Sequence, residues 1–456
     1  MKPVVCVGAG RPRRSAPFFT VAALLACAVA LPAEAGAQSV SRGLSAEIRS
    51  ADIDSRDVRA FYRARNFQPL WMRGGRPGAE AFGLVDLMMS ADLDGLSPRR
   101  LDVRKLASVV EKAQGGSPKA VARAEVALSE AFADYVQAMR RSRGGGLRYE
   151  SEALAPVVPT RKAALDAAAS APSLQLYLRD IGWMHPLYGR IRAALDDPAL
   201  APETEAMLRL NLDRVRAIPA NPARRYVLVD AAAARLYMYE DGKVRDTMKV
   251  VVGRAEQQTP MMAGFIRHAI VNPYWNVPPD LVQAKIAPAV LKQGLGHLKA
   301  ERYEILSDWS DKARVLDPKS IDWRAVAAGR QELRVRQLPG KANSMGNVKF
   351  MFPNDLGIYL HDTPDKHLMK RAGRQFSSGC VRLEDAARLG RWLFGKPLVA
   401  PSRAAEQIVK LPELVPVYIT YLTAAPEAGR IAYRRDVYGR DQALFAAGAR
   451  EGRGTR

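Results

Sequence analysis

The sequence predicts an α+β chain, a helical N-terminal scaffold followed by a strand-dominated domain with a helical insertion. Three observations carry that expectation. Residues 38–220 are built from long stretches with apolar residues at helical spacing. Near Asn221 the pattern changes to short β-branched and aromatic runs separated by turn residues. Between about 280 and 345 that strand pattern is interrupted by helix-like, charged sequence, and an insertion of that length usually has a function of its own. The 456 residues, 48% hydrophobic and 25% charged, are enough for two or three domains with separate cores and exclude wholesale disorder.

The first 37 residues read as a secretory signal. Lys2, Arg11, Arg13 and Arg14 precede an apolar run from Phe18 to Leu31, and Ala35-Gly36-Ala37 offers small residues for cleavage. The run is shorter than the ~20 residues a bilayer span needs, so no transmembrane helix is expected in the mature chain. An exported protein is expected to work in the periplasm. Its net charge of +22 then points to an anionic cell envelope, because no basic run interleaved with aromatics marks a nucleic-acid binder.

In the scaffold, Ala120 to Arg141 is expected as a long helix stopped by Gly144-Gly145-Gly146, and Thr204 to Ile218 as another, with Leu208, Leu212 and Val215 on one face. An alanine- and proline-rich connector is expected around 150–172. Strands are expected at Tyr226–Val229, Arg235–Tyr239 and Val244–Val252, with Asp241-Gly242 as a hairpin turn. More follow at Gly264–Val271, Val348–Phe352, Gly357–Leu360 and Val417–Leu422. The C-terminal extension, residues 426–456, ends in a polar stretch expected to be mobile.

Three cysteines, Cys6, Cys27 and Cys380, fit neither a disulfide framework nor a zinc motif, so no metal or cofactor is expected. Removal of the leader leaves Cys380 alone in an oxidising compartment, where a free thiol is retained chiefly for chemistry. It lies in Ser377-Ser378-Gly379-Cys380-Val381-Arg382, ahead of an expected helix from Glu384 to Leu393. Backbone N–H groups and the helix start would favour its thiolate, and the N–H groups of Gly379 and Cys380 are candidates for an oxyanion hole. His361 ends an apolar strand nineteen residues upstream. A Cys–His pair of this kind suits acyl transfer through a covalent intermediate.

The run from His361 to Cys380 closely resembles the signature of L,D-transpeptidases with a YkuD-type catalytic domain: a histidine, a spacer, then Ser/Thr-His-Gly-Cys. Fifteen residues separate His361 from Ser377, and Ser378 stands where histidine is common. That departure resembles the large periplasmic YcbB-like branch, as do NPYWNVPP (272–279), VKFMFPN (348–354), IYLHDTP (358–364) and RDVYGRD (435–441). The stretches Phe61-Tyr62-Arg63, Pro69-Leu70-Trp71 and Asp94-Gly95-Leu96 are similar to the helical scaffold of that branch. Its helical wall-binding module is not recognisable here.

The resemblance implies a catalytic domain over 221–425 with a capping insertion at about 280–345. It implies a thiolate of Cys380 that attacks the third-residue carbonyl of a peptidoglycan stem tetrapeptide and expels D-alanine. The acyl group then passes to an amine of a second stem, a 3→3 cross-link. His361 would move the protons, Arg382 would bind a substrate carboxylate, and Tyr359 and Trp275 would line the cleft. The alternatives are an L,D-carboxypeptidase or endopeptidase with water as acceptor, and a non-catalytic wall-binding protein.

Overall fold

A computed structural model describes residues 33–141, 146–400 and 402–451. Residues 1–32, most of the expected leader, lie outside them, as do Gly144 and Gly145. Among the described residues no helix is long and apolar enough to cross a membrane.

Among the described residues the scaffold holds nine α-helices: α1 (Ala33–Ser50), α2 (Arg56–Ala64), α3 (Ala79–Met89), α4 (Val103–Ala113), α5 (Pro118–Arg140), α6 (Arg161–Ser170), α7 (Leu174–Arg179), α8 (Pro186–Ala194) and α9 (Pro202–Arg216). The short strands β1 (Met72–Arg73) and β2 (Arg76–Pro77) form a hairpin among them. The long α5 starts with proline at its first turn, where a missing N–H costs nothing. Its apolar face joins one continuous core that includes Tyr62, Trp71, Phe132 and Trp183. On α9, Leu208, Leu212 and Val215 are buried, the face expected from their spacing.

Two buried carboxylates organise this core. Glu125 accepts the Tyr62 hydroxyl at 2.7 Å and the Trp71 N–H at 3.0 Å. Asp94 accepts Arg192 at 3.0 Å and the hydroxyls of Tyr135 and Tyr188 at 2.5 and 3.1 Å. Tyr62, Trp71 and Asp94 belong to the stretches similar to a scaffold, and each carboxylate is satisfied from several sides, as burial requires. One expectation needs correcting. The connector around 150–172 contains α6, because Thr160 caps the Ala163 N–H at 3.1 Å and Ala164, Leu165 and Ala168 find a core to enter.

The second half begins after the edge strand β3 (Arg148–Tyr149) with β4 (Arg225–Asp230), β5 (Arg235–Glu240), β6 (Lys243–Gly253) and β7 (Met262–Val271). Asp241 and Gly242 both adopt positive φ between β5 and β6, the two-residue turn that matches strand twist. The sheet continues with β11 (Val348–Met351), β12 (Leu360–His361), β13 (Gln375–Ser377), β14 (Val381–Leu383) and β15 (Gln407–Thr420). Pairing runs β11-β12-β14-β6-β5-β4-β15-β7 and returns from β7 to β11, so the ladder closes on itself. Leu360, Val381 and Leu383 point to its apolar core.

Between β7 and β11 lies a unit with its own small core. A three-stranded sheet, β8 (Trp275–Val277), β10 (Arg334–Gln337) and β9 (Tyr303–Leu306), packs with α10 (Pro279–Leu281), α11 (Ala287–Gln293), α12 (Gly296–Ala300) and α13 (Trp323–Ala327). After β14 comes α14 (Ala386–Phe394), then after β15 the hairpin β16 (Ala424–Glu427) and β17 (Arg430–Tyr433), and last α15 (Arg440–Glu451). The polar end, expected to be mobile, is therefore helical as far as Glu451.

Candidate active site

The parallel pairing of β12 with β14 sets Leu360 beside Val381 and His361 beside Arg382. Strand side chains alternate. With Leu360 and Val381 in the core, Tyr359, His361, Cys380 and Arg382 share the opposite face. The next strand extends the row, because Lys349 of β11 registers with His361. A nucleophile, an imidazole, a phenol and two cations are thus brought together, whereas His367 lies exposed on a turn beyond.

The Cys380 loop is held in one shape. Gly379 has φ of +114°, a conformation that side chains disfavour, and a Cβ there would meet Ile358 Cδ1 at 3.3 Å. Buried Ser377 accepts the Gly379 N–H at 3.2 Å and donates to the Cys380 carbonyl at 2.6 Å. The expectation that both N–H groups serve as oxyanion donors is therefore corrected at Gly379. Its N–H is already engaged, and the Cys380 N–H is left as the candidate.

Half-buried Cys380 donates its thiol proton toward the Gly357 carbonyl, 3.6 Å away. Burial pushes this thiol up, and the N–H and hydroxyl of Tyr359 pull it partly back. The helix does not contribute: β14 separates Cys380 from α14, whose first turn is capped by Asp385 on the Arg388 N–H at 2.9 Å. The expected thiolate at a helix start gives way to a protonated thiol at a strand entrance.

His361 is buried, and burial with the nearby charge of Arg382 pushes it down to about 3. Its Nδ1 lies 2.6 Å from the Asp362 carbonyl. A carbonyl only accepts, so Nδ1 carries the proton and the lone pair resides on Nε2. Nε2 makes no hydrogen bond to any described residue. The Tyr359 ring stands 5.6 Å from the imidazole. Cys380 and His361 form no direct hydrogen bond here; the arrangement is a neutral thiol and a neutral base on one face.

Arg382 donates to Asp365 at 2.9 Å, which steers its guanidinium while leaving Nε without a partner. Lys349 pairs with Glu406 at 3.3 Å. Glu406 also accepts the Tyr274 N–H and so ties the start of the insertion to this row. Sequence reasoning missed Lys349 and Glu406. The alternation of Val348-Lys349-Phe350 was the available signal for Lys349, and Glu406 had none. Trp275 belongs to the insertion sheet, 6.4 Å from the Tyr303 ring, and no hydrogen bond or ring contact joins it to Cys380 or His361. Among the described residues no group of His, Cys, Asp and Glu is placed to hold a metal ion.

Known proteins match both halves of the chain. Residues 224–399 match the YkuD L,D-transpeptidase catalytic domain, and residues 56–195 match the Scaffold domain. A curated Haemophilus influenzae protein, named provisionally as an L,D-transpeptidase, is 28% identical over 403 residues, 85% of this chain and 78% of its own. Among solved structures, an L,D-transpeptidase from Mycobacterium smegmatis is 12% identical over 43% of this chain and 58% of its own, with a TM-score of 0.22. A cysteine-to-serine mutant of an Enterococcus faecium L,D-transpeptidase is 12% identical over 44% and 52%, with a TM-score of 0.21. This chain spans less than two thirds of either solved protein. The chain thus carries a YkuD-type L,D-transpeptidase catalytic domain preceded by a Scaffold domain.

Proposed function

We propose that the protein is an exported peptidoglycan L,D-transpeptidase that works in the periplasm, with residues 1–37 as its leader and the insertion at about 280–345 as a cap over the donor peptide. The observation that carries this reading is the placement of Cys380 and His361 on one sheet face with the imidazole Nε2 uncommitted.

The Cys380 thiol gives its proton to His361 Nε2 as sulfur attacks the third-residue carbonyl of a stem tetrapeptide. The carbonyl oxygen gains negative charge and meets the Cys380 N–H. Collapse breaks the C–N bond, and the imidazolium returns its proton to the departing D-alanine amine. An amine of a second stem then attacks the thioester and loses a proton through His361, and the thiol is restored with a 3→3 cross-link formed. A neutral starting pair suits this cycle, because the proton moves only as charge develops. Arg382 and Lys349 supply positive charge for substrate carboxylates along the same row.

The test is incubation of purified protein and Cys380→Ala with disaccharide tetrapeptide, products read by mass spectrometry. Cross-linked dimers from the wild type alone are expected. Tripeptide monomers alone would assign water as the acceptor, and no turnover by a folded wild type would refute the enzymatic reading.

A further inference from the structure

The turn between β6 and β7 packs against the nucleophile loop, and the RDVYGRD segment is wrapped onto that turn. Buried Thr259 accepts the Gly253 N–H at 2.8 Å and donates its hydroxyl proton to the Gly379 carbonyl at 2.7 Å. Behind it, Tyr438 donates to the Gly253 carbonyl at 2.6 Å, and its own carbonyl accepts Gln258 Nε2 at 3.0 Å. Arg440 reaches the same turn twice, Nε to Gln258 Oε1 at 3.0 Å and Nη2 to the Thr259 carbonyl at 2.9 Å. Its guanidinium lies over the rings of Tyr438 and Tyr421, at 4.9 and 5.1 Å. Asp436 fixes the segment by accepting the Tyr421 hydroxyl at 2.8 Å and the N–H groups of Arg440 and Asp441.

The Gly379–Cys380 peptide is planar, so its carbonyl and its N–H point in opposite directions as one rigid unit. A hydroxyl that holds the Gly379 carbonyl therefore also aims the Cys380 N–H. We propose that Thr259 is a positioning residue for the oxyanion donor of Cys380, and that Tyr438 and Arg440 hold Thr259 in place. Glycine at 379 makes the brace necessary: a residue with that conformational freedom lets the following peptide rotate unless something outside the loop fixes it. Ser377 fixes the other side, through the Gly379 N–H and the Cys380 carbonyl. The Gly379 carbonyl has Thr259.

The proposal rests on the transpeptidase reading, and its test separates the two. Thr259→Val, Thr259→Ser and Tyr438→Phe are compared with wild type for kcat and KM on tetrapeptide, thermal midpoint, and rate of Cys380 alkylation by iodoacetamide. Alkylation needs the thiolate and no oxyanion donor, whereas acylation needs both. Thr259→Val is expected to lower kcat by about 10- to 100-fold, somewhat less than outright loss of an oxyanion donor, with KM and alkylation within about twofold. Thr259→Ser restores kcat, and Tyr438→Phe shows the same split at a few-fold. Wild-type kcat in Thr259→Val, or a loss in which alkylation and melting fall with kcat and serine does not rescue, overturns the proposal. If Thr259→Val does not fold, Tyr438→Phe decides by the same split. A wild type without turnover overturns the transpeptidase reading and this proposal with it.

Discussion

Two buried histidines, one at the junction of the halves and one on the sheet, show what burial alone does and does not decide. His185 caps α8, and His361 ends β12. Burial pushes each down to about 3. At His185, Nδ1 accepts the Leu187 N–H at 3.3 Å, so Nε2 carries the proton and pairs with the Tyr226 hydroxyl at 2.9 Å. Both ring nitrogens are consumed, and the rings of Tyr226 and Tyr239 flank the imidazole. At His361 the proton sits on Nδ1, held by a carbonyl, and Nε2 is unengaged. The two residues are opposite tautomers, and burial lowers the basicity of both. Chemistry follows from the uncommitted nitrogen and not from the shifted pKa.

The largest expected effect is at His361. Replacement by Gln keeps a polar side chain and removes the base, so kcat on tetrapeptide should fall by about 10²- to 10⁴-fold with little change in melting. A variant that keeps wild-type kcat would erase the distinction drawn above. His185→Phe should do the reverse: it leaves the buried Tyr226 hydroxyl without its partner and costs about 1–3 kcal/mol of stability, measured by denaturant unfolding, with kcat unchanged below the transition.

Acid titration tests both at once. An unfolded histidine binds its proton near pH 6.5, and these two do so only near 3. Between those values the unfolded state holds more protons, so stability falls as pH drops. Each histidine contributes about 1.4 kcal/mol per pH unit once the unfolded ring is protonated. His185→Phe and His361→Gln should each remove one such contribution from the slope of stability between about pH 6 and 4. The smallest effect is at Arg382. Its charge helps hold His361 down, so Arg382→Gln should move the acid limb of kcat/KM upward by about one pH unit or less.

What could be read in the sequence follows how local each signal is. Cys380 and His361 lie nineteen residues apart in one motif, and the structure sets His361 at the end of β12 and Cys380 at the entrance of the adjacent β14. The hairpin at Asp241-Gly242 and the buried face of α9 were legible for the same reason: turn chemistry and periodicity are written in neighbouring residues. Lys349, Glu406 and Thr259 reach the site from separate strands and turns, and no spacing rule connects them to Cys380. The helix expected from Glu384 to Leu393 is α14, Ala386 to Phe394, but the Val381-Arg382-Leu383 run ahead of it carries no local signal of its own. Pairing with β6 and β12 makes it a strand, and only tertiary structure supplies those partners. The insertion, expected from interrupted patterning, has a core of its own, and Trp275 lies in its sheet.

One contact reaches across the whole chain. Arg214 of α9 and Asp441 of α15, both buried, pair at 2.7 Å, and Thr423 bridges Asp441 to Asn211. Synthesis delivers Arg214 long before Asp441, so this buried pair forms only once residue 441 has been made. The segment that brings it, residues 436–441, also braces the Thr259 turn. One short segment therefore carries both the buried partner of Arg214 and the brace of the nucleophile loop. A chain halted before residue 436 would lack Tyr438 and Arg440 and leave the Thr259 turn without its brace.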